Sequence, residues 1–429
     1  MITARAFAGK HYAVYGLARS GLATAAALIA SGAEVTAWDA KEEARTKGPA
    51  GTRIANLDDA DLSQFDSLVV TPGLPLNRHP IASRARDAGV EIIGDIELFA
   101  RARPELPPHK VVGITGTNGK STTTALVHHI LQTAGVPTTM GGNIGLPILA
   151  QDPLPEGGVY VLELSSYQID LTQSLDCDVA VLLNITPDHL DRYESFEAYA
   201  GSKGRLFEMQ SLGHAAIFAP TDEASVAIRD SIVVSEREQD VSWSEDFSAD
   251  WVAQFPNLRG PHNAQNVSAA EMACLELGVA YETILEALRT YAGLPHRMER
   301  IREKDGVAFV NDSKATNPTA TAPALAAFER IRWICGGQAK SDNLDECAPH
   351  FDHVAKAYTI GEAGELFASL LSPHMAVAKC ETLERAVGAA AAEAESGDTV
   401  LLSPACASFD QFRDFEDRGD RFRALVGAL

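Results

Sequence analysis

The chain has 429 residues, 46% hydrophobic and 22% charged, enough for roughly two to four domains with separate cores. Its formal charge of −22, from 36 basic and 58 acidic side chains, argues against nucleic acid or an anionic membrane as a bulk partner. Six cysteines lie scattered without a CxxC pair, no basic-apolar leader opens the chain and no apolar run is long enough to span a bilayer, so a cytoplasmic protein with reduced thiols is expected.

Residues 11–16 (HYAVYG) read as a strand, 21–31 as a helix and 33–38 as a second strand ending at Asp39. The turn between them, Gly16-Leu17-Ala18-Arg19-Ser20-Gly21, is a dinucleotide fingerprint with alanine in place of the middle glycine. Asp39 follows about 20 residues on, where a ribose-binding acid falls. The same turn suits any diphosphate, so an NAD-dependent dehydrogenase stays open at this point. Strands at 67–71 and 90–93, with the sharp turn Pro72-Gly73-Leu74-Pro75 between them, complete a first α/β domain.

Residues 101–110 are proline-rich and polar and lead into the next strand, 111–115. The turn Gly116-Thr117-Asn118-Gly119 follows, and Lys120-Ser121-Thr122 open an apolar helix. Strand, glycine turn and helix start place backbone N–H groups and the positive helix end around one anion. Lys120 is expected on the β- and γ-phosphates of a nucleoside triphosphate, and the Ser121 hydroxyl on magnesium. The spacing departs from an ordinary P-loop, since Ile114 stands where the first glycine is due and the glycines are at 113 and 116. With so negative a chain and an anionic ligand, each lysine of this pocket counts.

Residues 159–164 and 178–184 are apolar runs expected as buried parallel strands, whose polar ends should converge on the phosphate loop. Glu163, at the first of these ends, either completes a magnesium site or is a solvated charge. His189, between Asp188 and Asp191, either takes a second metal or belongs to an ordinary polar loop. A helix is expected at 195–210, and Lys203 within it is hard to place, because an ammonium repels a metal. Residues 221–254 are acidic and irregular and read as strands and loops. Asn263 and Asn266 share one helix face, for an adenine edge or as a helix cap. Arg297 can bring a guanidinium to phosphate.

From 298 on, strands are expected at 307–310, 331–335, 355–360 and 399–402, with helices at 320–328, 362–371, 383–395 and 421–426. Polar loops at 311–318, 336–340 and 403–410 each follow a strand, a ligand-facing position. Cys406 has no identifiable activating base and reads as a small buried thiol.

Together GITGTNGKST, GGNIG, ELSSYQ, TPDHLDRY, GPHNAQN, LPHR, NDSKATNP, GGQAKSDN and LSPACASFDQF resemble the Mur ligases of peptidoglycan synthesis, across the whole chain. GTNGKST differs from the GTNGKGS of folylpolyglutamate synthases, and NDSKATNP followed by LSPACASFDQF resembles the members that add D-glutamate. A sister member adding another amino acid, such as L-glutamate, is the alternative. The resemblance implies three α/β domains: a Rossmann-like UDP-substrate domain at 1–96, a P-loop-type ATP domain at 97–297 and a Rossmann-like amino-acid domain at 298–429. It implies a cytoplasmic monomer that joins D-glutamate to UDP-N-acetylmuramoyl-L-alanine through an acyl phosphate, releasing ADP and phosphate.

Roles implied by position follow. Gly116, Thr117, Asn118, Gly119, Lys120, Ser121 and Thr122 hold the ATP phosphates, and Asn263, Asn266, Arg297 and Asp312 the rest of the nucleotide. Ser121 and Glu163 take one magnesium ion and His189 a second, supported by Lys203 after carbon dioxide has made it a carbamate. Lys120, Glu163, His189 and Lys203 are thus the implied catalytic set. Gly16, Leu17, Ser20, Asp39, Thr71, Pro72 and Gly73 face the uridine diphosphate end, and Asn143, Ser165 and Gln168 the muramoyl-alanine path. Thr316, Lys340, Ser408 and Phe415 form the D-glutamate pocket.

Overall fold

The computed structural model describes residues 1–188, 191–219, 222–234, 240–243, 249–252, 254–255, 257–258 and 261–429. Their strands form three sheets. The first contains β1 (His11–Tyr15), β2 (Glu34–Trp38), β3 (Arg53–Ile54), β4 (Ser67–Val70) and β5 (Glu91–Ile93), in the order β3-β2-β1-β4-β5 and parallel throughout. The second contains β6 (His109–Thr115), β7 (Thr138–Gly142), β8 (Gly158–Glu163), β9 (Val179–Leu182), β10 (Ala215–Phe218) and β11 (Asp240–Trp243), again all parallel, in the order β11-β10-β9-β6-β8-β7. The third contains β12 (Glu299–Lys304), β13 (Val307–Asn311), β14 (Ile331–Gly336), β15 (Val354–Ile360), β16 (Ala376–Glu381) and β17 (Thr399–Leu402), in the order β12-β13-β17-β14-β15-β16. Only β12 runs antiparallel to its neighbour.

Central strands such as β4 (SLVV), β8 (GVYVLE), β9 (VAVL) and β10 (AAIF) are buried along their whole length. That is the signature of parallel strands covered by helices on both faces, and it is why their apolar runs are legible in the sequence. The expectation misses strands with weaker signals. β12 (ERIREK) is charged and half exposed at a sheet edge, β7 (TTMGG) ends in glycines and β3 has two exposed residues. β10 and β16 were also unforeseen.

Residues 221–254 need a larger correction. Their described part holds a helix, Glu223–Val234, a short helix, Ala249–Val252, and the single strand β11. The Asp222 carboxylate accepts from the Ser225 backbone N–H at 2.8 Å, and this cap starts a helix where acidity alone suggested irregular chain.

The described chain packs into two compact units, Met1–Tyr291 and Ala292–Leu429. Within the first unit one hydrophobic core joins the two sheets, running from Val14 and Val35 through Ile96 and Phe99 to Val111, Tyr160 and Leu162. A polar tie reinforces it from the helix Asp95–Ala102. Glu97 is 1% exposed and accepts from the backbone N–H groups of Gln173 and Ser174, from the Ser174 hydroxyl and from Arg101. Arg101 also forks onto both carboxylate oxygens of Glu91, the first residue of β5. The second unit builds its own two-sided core around Trp333, Phe367, Leu371 and Leu401 on one face and Tyr358, Leu383, Val400 and Phe422 on the other.

Candidate active site

β6 is central in its sheet: the chain moves from it to β8 and β7 on one side and to β9 and β10 on the other. Ligands of open parallel sheets bind beyond the strand ends at such a reversal, and the phosphate loop lies there. Gly113 is inside β6, where a Cβ would lie 2.7 Å from the Cys177 sulfur, so packing rather than phosphate demands it. Gly119 caps the helix Lys120–Thr133 with φ +85, and a Cβ there would collide with the Asn266 side chain. The Asn184 carboxamide accepts from the Asn118 N–H at 2.9 Å, and the Asn184 carbonyl accepts from the Thr117 N–H at 2.7 Å. Asn266 receives the Thr123 hydroxyl at 3.3 Å and donates to the Asn263 side-chain oxygen at 3.0 Å. The loop and the two amides expected for adenine are therefore brought together. Lys120 is folded back, donating to the carbonyls of Gly116 (2.8 Å) and Thr117 (2.7 Å).

Glu163 ends β8 opposite Ile114 of β6 and is 2% exposed. One carboxylate oxygen accepts from the Asn143 amide at 2.9 Å, while the other is buried without a hydrogen-bond partner among the described residues. A buried, half-satisfied carboxylate beside a phosphate loop fits a divalent cation, and Ser121, also buried, supplies a neutral oxygen. His189 lies outside the described residues. Among the described residues no group of three or more His, Cys, Asp or Glu side chains could hold a metal.

Lys203 is in the helix Phe196–Glu208 and only 1% exposed, contrary to the ordinary solvated lysine. Its ammonium nitrogen donates to the Gly116 carbonyl at 2.9 Å and lies 4.6 Å from the Tyr199 ring centroid. Burial first, then the nearby Lys120 charge, push its pKa well below the usual lysine range, against the pull of Asp188 and Asp170.

In the first sheet, Ser20, Gly21 and Thr24 line a small crevice with Thr71, Pro72 and the buried Asp95, whose carboxyl burial pushes up to about 6. Asp39 is occupied: one carboxylate oxygen accepts from the Leu17 N–H at 2.7 Å and the other from the Lys41 N–H at 2.8 Å. It shapes the Gly16–Leu17 turn, and the ribose-binding acid of a dehydrogenase loses its support. Ser165 and Gln168 form a capping box on the short helix Ser166–Asp170.

In the second unit the three expected loops follow β13, β17 and β14, which are adjacent strands. Lys340 donates to the Thr316 hydroxyl at 3.1 Å, joining two residues expected in one pocket. Ser408 is buried, and the Phe415 carbonyl accepts from the Ser313 hydroxyl at 2.8 Å. Sequence reasoning missed Arg418. Buried in the helix Phe415–Ala428, it donates to the Ser313 hydroxyl and carbonyl and to the carbonyls of Cys406 and Ala407. Two of the loops are thus pinned by one guanidinium, which in sequence is one charge among many in EDRGDRFR. Asp312 accepts from the Ser403 hydroxyl at 2.7 Å and the Met298 N–H at 3.1 Å, and burial raises its carboxyl to about 7. Arg297 is flanked by His296 (φ 61) and Met298 (φ 47), two left-handed non-glycine residues that mark a strained turn. The Cys406 thiol is buried and pushed up to about 12, as an inert thiol should be.

Three family models match successive parts of the chain: a Mur ligase MurD-like N-terminal domain at 10–94, a Mur ligase middle domain at 114–274 and a Mur ligase glutamate ligase domain at 296–406. The UDP-N-acetylmuramoylalanine--D-glutamate ligase of Novosphingobium aromaticivorans is 60% identical, over 100% of this chain and 97% of its own. The enzyme of the same name from Sphingopyxis alaskensis is 59% identical over 100% of both chains. The crystal structure of UDP-N-acetylmuramate-alanine ligase MurC from Thermotoga maritima superimposes with a TM-score of 0.59 at 18% identity, covering 98% of this chain and 99% of its own, a likeness of fold. The three domain matches in order and the end-to-end identity agree with the site's geometry: this chain belongs to the Mur ligase family.

Proposed function

We propose that this protein joins D-glutamate to UDP-N-acetylmuramoyl-L-alanine at the expense of ATP, a step of peptidoglycan precursor synthesis and hence of cell-wall growth and division. The relatives that share its full length and most of its residues bear that activity in their names. The observation that carries the reading at the site is the convergence of Lys120, the half-satisfied Glu163 and the buried Lys203 on one phosphate loop.

The UDP-substrate carboxylate attacks the γ-phosphorus of ATP, ADP leaves, and an acyl phosphate forms. The D-glutamate nitrogen then attacks the activated carbonyl, the C–N bond forms, the C–O bond to phosphate breaks, and phosphate and a proton leave. Lys120 leaves the Gly116 and Thr117 carbonyls to neutralise charge on the phosphoryl group, where a fixed cation is most valuable in the transition state. Glu163 and Ser121 would hold one magnesium ion, and His189 with a modified Lys203 a second; bound there, the ions offset phosphate charge. In its deprotonated form the Lys203 amine would add to carbon dioxide through its lone pair and lose a proton, so a neutral group would become a carbamate anion. Asn263, Asn266, Arg297 and Asp312 hold the nucleoside side of ATP. Gly16, Leu17, Ser20 and Thr71 to Gly73 hold the UDP end, with Asp39 shaping their turn, and Asn143, Ser165 and Gln168 line the path inward. Thr316, Lys340, Ser408 and Phe415 receive D-glutamate, with Lys340 set against its carboxylates. The functional divisions are 1–96, 97–297 and 298–429, in a cytoplasmic monomer. None of the described helices is long and apolar enough to cross a membrane.

The test is phosphate release from ATP in the presence of UDP-N-acetylmuramoyl-L-alanine and a panel of amino acids. Release of ADP and phosphate that depends on D-glutamate, and not on L-glutamate, is expected. AMP formation, or equal use of the L-isomer, overturns the reading.

A further inference from the structure

Arg192 joins loops that follow three different strands. Its guanidinium donates to the carbonyls of Pro72 (3.4 Å), Gly73 (3.4 Å) and Leu74 (2.8 Å), all in the loop after β4. The same planar group lies 4.3 Å from the ring centroid of Tyr167, just after β8. Arg192 itself follows β9, and the neighbouring Asp191 carbonyl accepts from Asn77 (3.1 Å) and Arg78 (2.7 Å), so the two loops are tied twice. From Tyr167 the contacts continue. Its ring stacks on Tyr193 at 6.0 Å, and Tyr193 meets Tyr199 edge-on at 5.4 Å. The Tyr199 hydroxyl is 3.0 Å from the Thr117 hydroxyl, and its ring is 4.6 Å from the Lys203 nitrogen. An unbroken path therefore runs from Pro72, Gly73 and Leu74 to the phosphate loop. Its entry point needs arginine: a fork that reaches several carbonyls while its face stacks on an aromatic ring is beyond a lysine's point charge.

We propose that Arg192 is a positioning residue that couples binding of the UDP-substrate at the loop after β4 to the arrangement of the phosphate loop around Thr117 and Lys203. The inference rests on the reading of Thr71, Pro72 and Gly73 as UDP-substrate contacts. A ligand seated on that loop fixes the carbonyls that Arg192 grips. The gripped guanidinium fixes the Tyr167 face, and the packed rings hold the Tyr199 hydroxyl against Thr117. By linkage, magnesium-loaded nucleotide must then tighten the UDP-substrate to the same degree.

The experiment measures, on the full chain, the affinity for adenylyl imidodiphosphate with Mg2+ in the presence and absence of UDP-N-acetylmuramoyl-L-alanine. In the wild type the UDP-substrate is expected to tighten the nucleotide by about fivefold or more, the usual lower range of coupling between sites. Arg192→Ala should lose that factor while keeping its affinity for the nucleotide alone and its melting temperature, and Arg192→Lys should not restore it. Tyr167→Leu, at the other side of the stacked contact, should lose the same factor, and the double variant no more than either single one. Unchanged coupling in Arg192→Ala and Tyr167→Leu, or equal weakening with and without the UDP-substrate, overturns the proposal. Binding of the UDP-substrate to the wild type without coupling overturns this inference alone. Absence of any binding overturns the functional reading, and the inference with it.

Discussion

Lys203 shows how burial changes what a residue type means. A helix lysine in a chain of this charge would ordinarily be solvated, yet this one is enclosed, neighbours Lys120 and hydrogen-bonds the phosphate-loop carbonyl of Gly116. Lys203→Ala is expected to lower turnover by about 10²-fold or more, and short carboxylic acids should restore part of it by standing in for the carbamate. Full activity of the variant without additive would end the carbamate proposal. Asp312 makes a second prediction at this scale. Its carboxyl titrates near 7 in the fold against an ordinary 3.8, because burial disfavours the anion. The folded state therefore holds a proton that the unfolded chain has released. Stability from this group is complete below the unfolded pKa and is lost as pH rises through the folded one, by at most about 4 kcal/mol. Asp312→Asn keeps the shape without the titration, so the variant's gain in melting temperature over the wild type should be larger at about pH 8 than at about pH 5. A gain independent of pH would show that Asp312 does not titrate there.

At the scale of elements, the strand-turn-helix unit around 109–133 divides its glycines between two tasks. Gly119 provides a left-handed cap, whereas Gly113 admits the Cys177 sulfur, with Leu164 and Leu206 also close. The odd spacing of the phosphate loop is thus a packing feature of β6 joined to a conventional helix start. Gly113→Ala should destabilise the protein by about 1–3 kcal/mol through overpacking. Combining it with Cys177→Ala, which removes the opposing sulfur, should recover part of the loss in thermal melts. No recovery in the double variant would show that Leu164 and Leu206, not the sulfur, set the limit.

On the scale of the whole molecule, the division into Met1–Tyr291 and Ala292–Leu429 places two sheets in one compact unit and the third in another. Calorimetric heating should resolve two transitions where a single-core protein gives one. Among the described residues Glu97 binds only groups of the first unit. Glu97→Ala, which leaves two backbone N–H groups and Arg101 without that acceptor, should lower the first unit's transition by about 1–3 kcal/mol and leave the other in place. A shift of both transitions would mean that the units unfold together.

The sequence by itself determined the α/β class, the buried parallel strands and the phosphate loop, because each has a local cause: an apolar run, a glycine turn or a polar strand end. It also carried the family motifs from which the site residues were expected. Tertiary structure decided what those residues do with their neighbours. It occupied both oxygens of Asp39 with backbone N–H groups, left one oxygen of Glu163 without a partner among the described residues and gave the charged helix residue Arg418 a buried post between two loops. Burial and long-range hydrogen bonding depend on which distant segments meet, and no local pattern records that. The edge strand β12 and the helix Glu223–Val234 were hidden for a related reason: at a solvated edge, or behind one aspartate cap, a short-range signal is weak and the surrounding fold decides.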